Sequence, residues 1–393
     1  MKKLYLFAVF LVIYEFTTYS ANDMIMPGMI AVVNQFNAPL SYVAASLSFY
    51  MLGECAIQLW LGPLAERYGK RRMILIGNFS FLIFTILIAC SMSINQFMFG
   101  RWLQGSGMAF IAMGYAVIHE KFDDKGAVRI ISIMGNVSIL APLIGPLIGG
   151  VIVSYSSWRY IFILTCILGF ISLCGLYKNT PESTTRVEKL ELKPVLRHYW
   201  EIATSSNYML GVACTIAAAM PLLIWLGLAP NLILHNLHLD YTHYIIYQII
   251  TIGGLSISSI AMQFLAGRWQ FHQLILRGCY ISLAGVIFSF IFSFSINLLS
   301  VGLFFYSLGL GLSNGSIIRI IMSNKNVSQS MAASLMTFSQ TLLFAVGIQL
   351  SDYITGLFNY SAISFTSCCL IGGICSLILT RKFALRNVER QWN

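Results

Sequence analysis

The chain has 393 residues, of which 58% are hydrophobic and only 10% charged, against roughly 25% charged in an ordinary soluble domain. So few charges cannot clothe a globular protein of this length, so lipid must be its main solvent. The net charge of +10 does not point to nucleic acid, because the basic residues gather in short segments between apolar runs, which is a topology signal.

Crossing about 30 Å of hydrocarbon takes about twenty apolar residues. Runs of that kind fall at roughly 4–32, 41–65, 73–93, 97–119, 129–152, 158–177, 207–232, 243–266, 275–296, 298–322, 330–350 and 359–380. The start, Met1-Lys2-Lys3 before an apolar run, superficially resembles a signal peptide. Glu15 interrupts the run and no small-residue cleavage site follows, so an uncleaved first span is expected. Pro27-Gly28 is expected to bend or end it. With the N-terminus inside, nearly all loop Lys and Arg fall on the cytoplasmic side and Arg159 alone falls outside. That asymmetry predicts both termini in the cytoplasm and an even number of spans. The nine cysteines lie in apolar stretches without C-x-x-C spacing and read as packing residues.

Span 1 carries Glu15 and Asp23, eight residues apart. On a helix their directions differ by only about 80°, so both can line one cavity at different depths. An acid in hydrocarbon must be neutral, paired or facing water. Such a group suits taking a proton from one side and releasing it to the other. Glu54, in mid-span 2, reads equally as an extra cation or proton ligand and as a buried protonated acid bonded to a neighbour. Between spans 2 and 3 runs Gly62-Pro63-Leu64-Ala65-Glu66-Arg67-Tyr68-Gly69-Lys70-Arg71-Arg72. An acid and several guanidiniums at helix ends can pair with each other and with the helix dipoles in one conformation only, which makes a gate. The basic residues alone would also satisfy a positive-inside turn. In span 4, Arg101-Trp102-Leu103-Gln104-Gly105 puts a guanidinium near the membrane interior, where it needs a partner or a route to the outer interface. Span 4 ends in Glu120. Span 5 holds Ala141-Pro142-Leu143-Ile144-Gly145-Pro146-Leu147-Ile148-Gly149-Gly150, small residues that let helices approach closely, with Pro146 bending the span.

The one long charged connection, residues 178–206, divides the chain into an N-terminal six-helix bundle at 1–177 and a C-terminal one at 207–393. A rocking transporter requires that division, with its substrate site between the halves. In the second half, His235-x-x-His238-x-Asp240-x-x-His243 has metal-ligand types but reads as a wetted external loop. Arg319, near the cytoplasmic end of span 10, needs a carboxylate or carbonyl partner, or snorkels.

Several of these segments carry a family resemblance. Gly62 to Arg72 resembles the signature loop G-x-L-a-D-r-x-G-r-r/k of the major facilitator superfamily, with Glu66 for the usual Asp. Arg101 to Gly105 resembles its R-x-x-Q-G element. Gly145-Pro146 with Gly149-Gly150 resembles the G-x-x-x-G-P-x-x-G-G motif of its twelve-span drug/proton antiporters, with Ala141 for the first glycine. Tyr14-Glu15-Phe16, Tyr19, Asn22-Asp23-Met24-Ile25, Tyr115 to Glu120, Pro221-Leu222-Leu223 with Trp225, and Ser313-Asn314-Gly315 with Arg319 are similar to the MdfA type within that family. Gly267-Arg268-Trp269, the second-half counterpart of the signature loop, is degenerate.

The resemblance implies an all-α major facilitator fold, twelve transmembrane helices in two six-helix bundles with pseudo-two-fold symmetry. It implies proton-coupled export of small lipophilic or cationic compounds by alternating access. Glu15 and Asp23 would be the proton- and cation-responsive acids and Arg101 the charge that answers their titration. Tyr19, Asn22, Asp23, Leu222 and Leu223 would bind substrate. Glu54, Glu120 and Arg319 are secondary candidates, and for Glu120 a solvated helix end is an equal reading. Export of one endogenous metabolite, such as a siderophore or amino-acid derivative, is the alternative. A membrane enzyme lacks its nucleotide loop or catalytic constellation here, and a passive channel needs no two-half division. No cofactor or metal is expected beyond protons as the coupling ion. The expected setting is a monomer in a bacterial inner membrane, with a small-molecule substrate and no nucleic-acid partner.

Overall fold

The computed structural model describes residues 2–182, 192–265, 270–322 and 329–391. Among them every regular element is helical. In chain order these are α1 (Lys2–Met24), α2 (Met29–Gln35), α3 (Ser41–Gln58), α4 (Leu61–Tyr68), α5 (Lys70–Ala89), α6 (Ile94–Ala109), α7 (Ile111–Lys121), α8 (Asp124–Tyr155) and α9 (Arg159–Asn179). They continue with α10 (Leu192–Ala203), α11 (Ser206–Pro230), α12 (Tyr241–Leu265), α13 (Phe271–Ile291), α14 (Ile296–Met322), α15 (Gln329–Leu357) and α16 (Ala362–Gln391). The Gly267-Arg268-Trp269 segment lies outside the described residues.

Among the described residues, nine helices are long and apolar enough to cross a membrane, or ten when the bent α8 counts as one span. The α6/α7 pair is absent from that group for a geometric reason. The 16 residues of α6 rise only about 24 Å, short of the hydrocarbon thickness, and α7 resumes after Phe110 alone.

The exposed faces are apolar. Along α5, Ile76, Phe79, Ile83 and Ile86 form an exposed stripe at helical spacing, the inverse of a soluble helix and the pattern lipid requires.

The chain forms two compact units, Met1–His198 and Tyr199–Asn393. In the first, α1 packs against α8 and α9, α3 against α6, and α5 against α6 and α9. Its core includes Phe7, Leu11, Tyr14, Phe81, Phe110 and Leu176. In the second, α13 packs on α14 and α16, α12 on α14, and α11 on α16 and α15.

Three local outcomes differ from the sequence reading. The bend in α8 joins Asp124–Ser138 to Leu140–Tyr155 at 42°, one turn before Pro142 and not at Pro146. Pro142 denies an amide to the carbonyl four residues earlier, which places the break there. The connection at 178–206 is not featureless, because α10 occupies its second part. The last apolar residues of span 11 also do not end its helix, since α15 continues to Leu357.

Arg159, the basic residue expected on the outer side, has a structural task. Its guanidinium donates to Ala89 O (3.1 Å), Ser91 O (2.9 Å) and Gln35 Oε1 (3.0 Å) and lies over the Trp158 ring. A cation at the C-terminal carbonyls of α5 is well placed against the helix dipole. All nine cysteines are free thiols.

Candidate functional site

In α1 Glu15 and Asp23 are both buried, 1% and 4% exposed. Their surroundings differ. Glu15 Oε1 accepts from the Tyr115 hydroxyl of α7 at 2.8 Å and the Ser138 hydroxyl of α8 at 3.1 Å. Its second oxygen, Oε2, is buried with no partner among the described residues. Asp23 sits where α1 ends, and its Oδ1 accepts from Asn22 Nδ2 at 3.4 Å.

Arg101 of α6 does not reach for the outer interface. It is fully buried and spends its donors inside the unit: on Ser46 Oγ (3.2 Å), Ala21 O (3.3 Å), Gln104 Oε1 (2.7 Å) and Asn22 Oδ1 (2.8 Å). Its guanidinium carbon lies 4.6 Å from the centroid of the Tyr50 ring, a cation–π contact that desolvation strengthens. Gln104 in turn donates to Thr85 Oγ1 at 2.8 Å, and the Tyr50 hydroxyl donates to Thr18 O at 2.8 Å. No ion pair joins Arg101 to Asp23. Asn22 stands between them, accepting from the guanidinium and donating to the carboxylate. A proton on Asp23 is therefore felt by Arg101 through one amide, an arrangement able to transmit a charge change as a side-chain rotation.

The motifs explain why these helices approach. A Cβ on Gly105 would sit 1.8 Å from Tyr50 O, which brings the Tyr50 ring over Arg101. A Cβ on Gly149 would sit 1.9 Å from Met24 O, and one on Gly145 3.1 Å from Asp23 Cβ. The span 5 glycines thus seat α8 directly on the end of α1 that carries Asp23. Pro146 and Gly150 are buried on the same helix.

Tyr19 is half-buried and interacts electrostatically with Glu54, Glu15 and Asp23. Glu54 of α3 is 6% exposed, and among the described residues its carboxylate has no hydrogen-bond or ion-pair partner.

The loop between α4 and α5 pairs outward and not within itself. Glu66, Arg67 and Arg72 are exposed, and Glu66 makes no ion pair among the described residues. Instead Lys70 Nζ binds Glu120 Oε2 at 2.8 Å, while Arg71 pairs with Glu182 and donates to Tyr177 O at 3.0 Å. The hydrogen bond from Lys70 holds the Glu120 carboxyl below its ordinary range. Glu120, placed in sequence as a secondary proton or substrate residue or a solvated helix end, is the partner of this loop. Gly69 joins the two helices with φ 90° and ψ 139°, a conformation that favours glycine. A Cβ on Gly62 would meet open space.

In the second unit, Leu222 and Leu223 are half-buried on α11. At Pro221 the helix is rethreaded through Tyr306 of α14. The Leu222 amide donates to the Tyr306 hydroxyl (3.1 Å), which donates to Ala218 O (2.6 Å). The phenol thus bridges an amide and a carbonyl four residues apart on α11, beside the two leucines. Trp225 is buried and donates to Gln248 Oε1 at 2.6 Å. Arg319 is exposed in the last turn of α14. In the His235–His243 segment, Asp240 accepts from the His243 amide at 2.9 Å and faces its Nδ1 at 2.6 Å, capping α12. Its carboxyl lies below the ordinary range because of that backbone bond. Among the described residues no three His, Cys, Asp or Glu side chains could hold a metal ion.

Sequence reasoning missed Ser138, which no motif marks, and Tyr50, which shows only once α3 meets α6. It also missed Asp352. Asp352, just beyond the expected span 11, is 4% exposed and interacts electrostatically with Tyr360.

Buried acids, a buried guanidinium and apolar outer faces define an integral membrane protein that holds charge inside its helix bundles. The Major Facilitator Superfamily profile matches residues 11–348, and the chain belongs to that family. It is closely related to the MdfA-type multidrug transporters. It is 34% identical over 352 residues to the multidrug transporter MdfA of Yersinia pestis, spanning 88% of this chain and 86% of that protein. With the multidrug transporter MdfA of Escherichia coli O157:H7 it shares 34% over 365 residues, 90% and 89% of the two chains. The crystal structure of a D-xylose-proton symporter superimposes with a TM-score of 0.75 at 16% identity, over 95% of this chain and 97% of that one, which shows a shared fold.

Proposed function

We propose that the protein is a proton-coupled antiporter that exports small lipophilic or cationic compounds by alternating access. The observation that carries this reading is the relay from Asp23 through Asn22 to Arg101, within a chain similar to multidrug transporters over most of its length. A proton or a cationic substrate can satisfy the buried Asp23, but not both. Each therefore favours the conformation that releases the other, which is thermodynamic coupling by competition. In this reading Glu15 is the second proton site, Arg101 senses the charge on Asp23, and Tyr19, Asn22, Leu222 and Leu223 line the substrate path. The Lys70–Glu120 and Arg71–Glu182 pairs act as a conformational latch.

Several further features belong to the same proposal. The protein crosses the membrane twelve times, six in each unit, with α3/α4 and α6/α7 each serving as one span. Both termini are cytoplasmic, the 178–206 segment is the linker, and the protein works as a monomer in an inner membrane. The uneven distribution of Lys and Arg supports that orientation.

The decisive experiment measures proton release from purified protein on adding a lipophilic cation, and transport in vesicles bearing a pH gradient. Asp23→Asn is expected to abolish both. Undiminished proton release or transport by this variant would refute the assignment.

A further inference from the structure

Leu222 and Leu223 sit at a weak point of α11. From Pro221 to Ile233 every residue except these two is buried, so they form the open apolar spot of that stretch. Pro221 has no amide to donate to the carbonyl of Ala217, so α11 lacks one rung of its own ladder at this turn. Sharp bends form at such prolines, and the shape of the turn then depends on its neighbours.

Two neighbouring helices meet it. From α14, the Tyr306 hydroxyl accepts from the Leu222 amide at 3.1 Å and donates to Ala218 O at 2.6 Å. From α16, the Cys369 thiol donates to Pro221 O at 3.9 Å, and a Cβ on Gly372 would sit 3.3 Å from Pro221 Cδ. Tyr306 is 1% exposed and is itself held in place. Ser282 of α13 donates to its carbonyl at 2.9 Å, and a Cβ on Gly285 would lie 2.4 Å from its nitrogen. A phenylalanine ring would fill nearly the same volume, so what the hydroxyl adds is two directed bonds. A phenol has one O–H to give, and here it goes to the backbone beside the leucines.

We propose that Tyr306 is a positioning residue for substrate selection. Its hydroxyl fixes the turn of α11 that presents Leu222 and Leu223, and so sets which apolar shapes the path accepts. The inference deepens the reading of the two leucines as substrate-path residues and rests on it. A rigid substrate cannot follow a displaced leucine pair, whereas a flexible chain bends to suit it. Loss of the hydroxyl therefore disfavours the rigid compound more.

The test measures transport in vesicles bearing a pH gradient and compares tetraphenylphosphonium with decyltrimethylammonium. Each carries one positive charge, so a difference between them reports shape. Tyr306→Phe is expected to raise KM for tetraphenylphosphonium about threefold to tenfold, the loss of one or two hydrogen bonds. It should raise KM less for the chain compound and leave kcat little changed. In a Leu222→Ala/Leu223→Ala background the same change should have little further effect, because coupled residues do not act additively. Equal KM factors for the two compounds would overturn the proposal, as would a full Tyr306→Phe effect in the alanine background. So would a Tyr306→Phe protein with a lowered melting temperature and the same loss for both compounds, the mark of a merely structural role. An unchanged KM for both compounds in the Leu222→Ala/Leu223→Ala protein would remove the leucines from the substrate path, and this inference with them. Absence of wild-type transport of both compounds defeats the antiport reading itself.

Discussion

At the scale of single residues, the first unit separates two kinds of charge. Arg101 is fully buried with four hydrogen-bond acceptors and an aromatic face, so its geometry matters as much as its charge. Arg101→Lys keeps the charge and loses the planar fork. It is expected to lower exchange at least about tenfold, the effect of about 1.4 kcal/mol, while Tyr50→Phe, which keeps the ring, should lower it less. Equal losses in a transport assay would show that the Tyr50 hydroxyl, bonded to Thr18 O, matters as much as the planar fork of Arg101. Lys70 and Glu120 are about a quarter exposed, where such a pair contributes roughly 0–1 kcal/mol. Glu120 has its carboxyl held low by Lys70, so the stabilisation is full above the carboxylate's unfolded value and lost as pH falls through the depressed one. Glu120→Gln should therefore reduce thermal stability slightly at neutral pH, and the difference from wild type should vanish in acid. A difference that persists in acid would rule out the ion pair as its source.

The helices pose a different question, namely how close two backbones come. In α8, Gly149 faces Met24 O so closely that a methyl group has no room, whereas a Cβ on Gly135 meets nothing within 4 Å. Gly149→Ala is expected to push α8 from α1 and to lower both melting temperature and exchange. Gly135→Ala, in the same helix, should be neutral or slightly stabilising, because alanine is the better helix former by about 1 kcal/mol. Equal melting temperatures for the two variants would contradict the packing argument. Gly69, with φ 90°, is the other glycine that its backbone demands. Replacing it with alanine should destabilise by roughly 1–3 kcal/mol, measured as a lower unfolding temperature. At this scale the glycine-proline pattern of span 5 was legible as close packing. Its particular neighbour, the Asp23 end of α1, was not.

For the whole molecule, the testable quantity is topology. Alkaline phosphatase fused after Met92 should be active and after Gly126 inactive, and a fluorescent protein fused at the C-terminus should fold in the cytoplasm. The opposite pattern would invert the orientation. The membrane class and the succession of apolar runs were legible because hydrocarbon thickness and the rarity of charge act on every residue alike. Breaks inside runs, such as those at Phe110 and before Pro142, left weaker traces, and α10 hid in a charged connection because its twelve residues are too few to cross a membrane and mix apolar with charged side chains.

Glu15 and Asp23 stood out from composition alone: an acid within an apolar run is conspicuous before any fold is known, since hydrocarbon disfavours charge wherever the helix lies. Composition and spacing likewise determined the solvent and the presence of Arg101 in a span, and the motifs carried the family resemblance. Only the tertiary structure decided partnership. It placed Tyr115 and Ser138 on Glu15, Asn22 between Asp23 and Arg101, and Glu120 on Lys70. It also left Glu54 buried with no bonded neighbour among the described residues. Except for Asn22 beside Asp23, those contacts join residues from different helices, and the packing of helices depends on shape at distances that no local sequence pattern records.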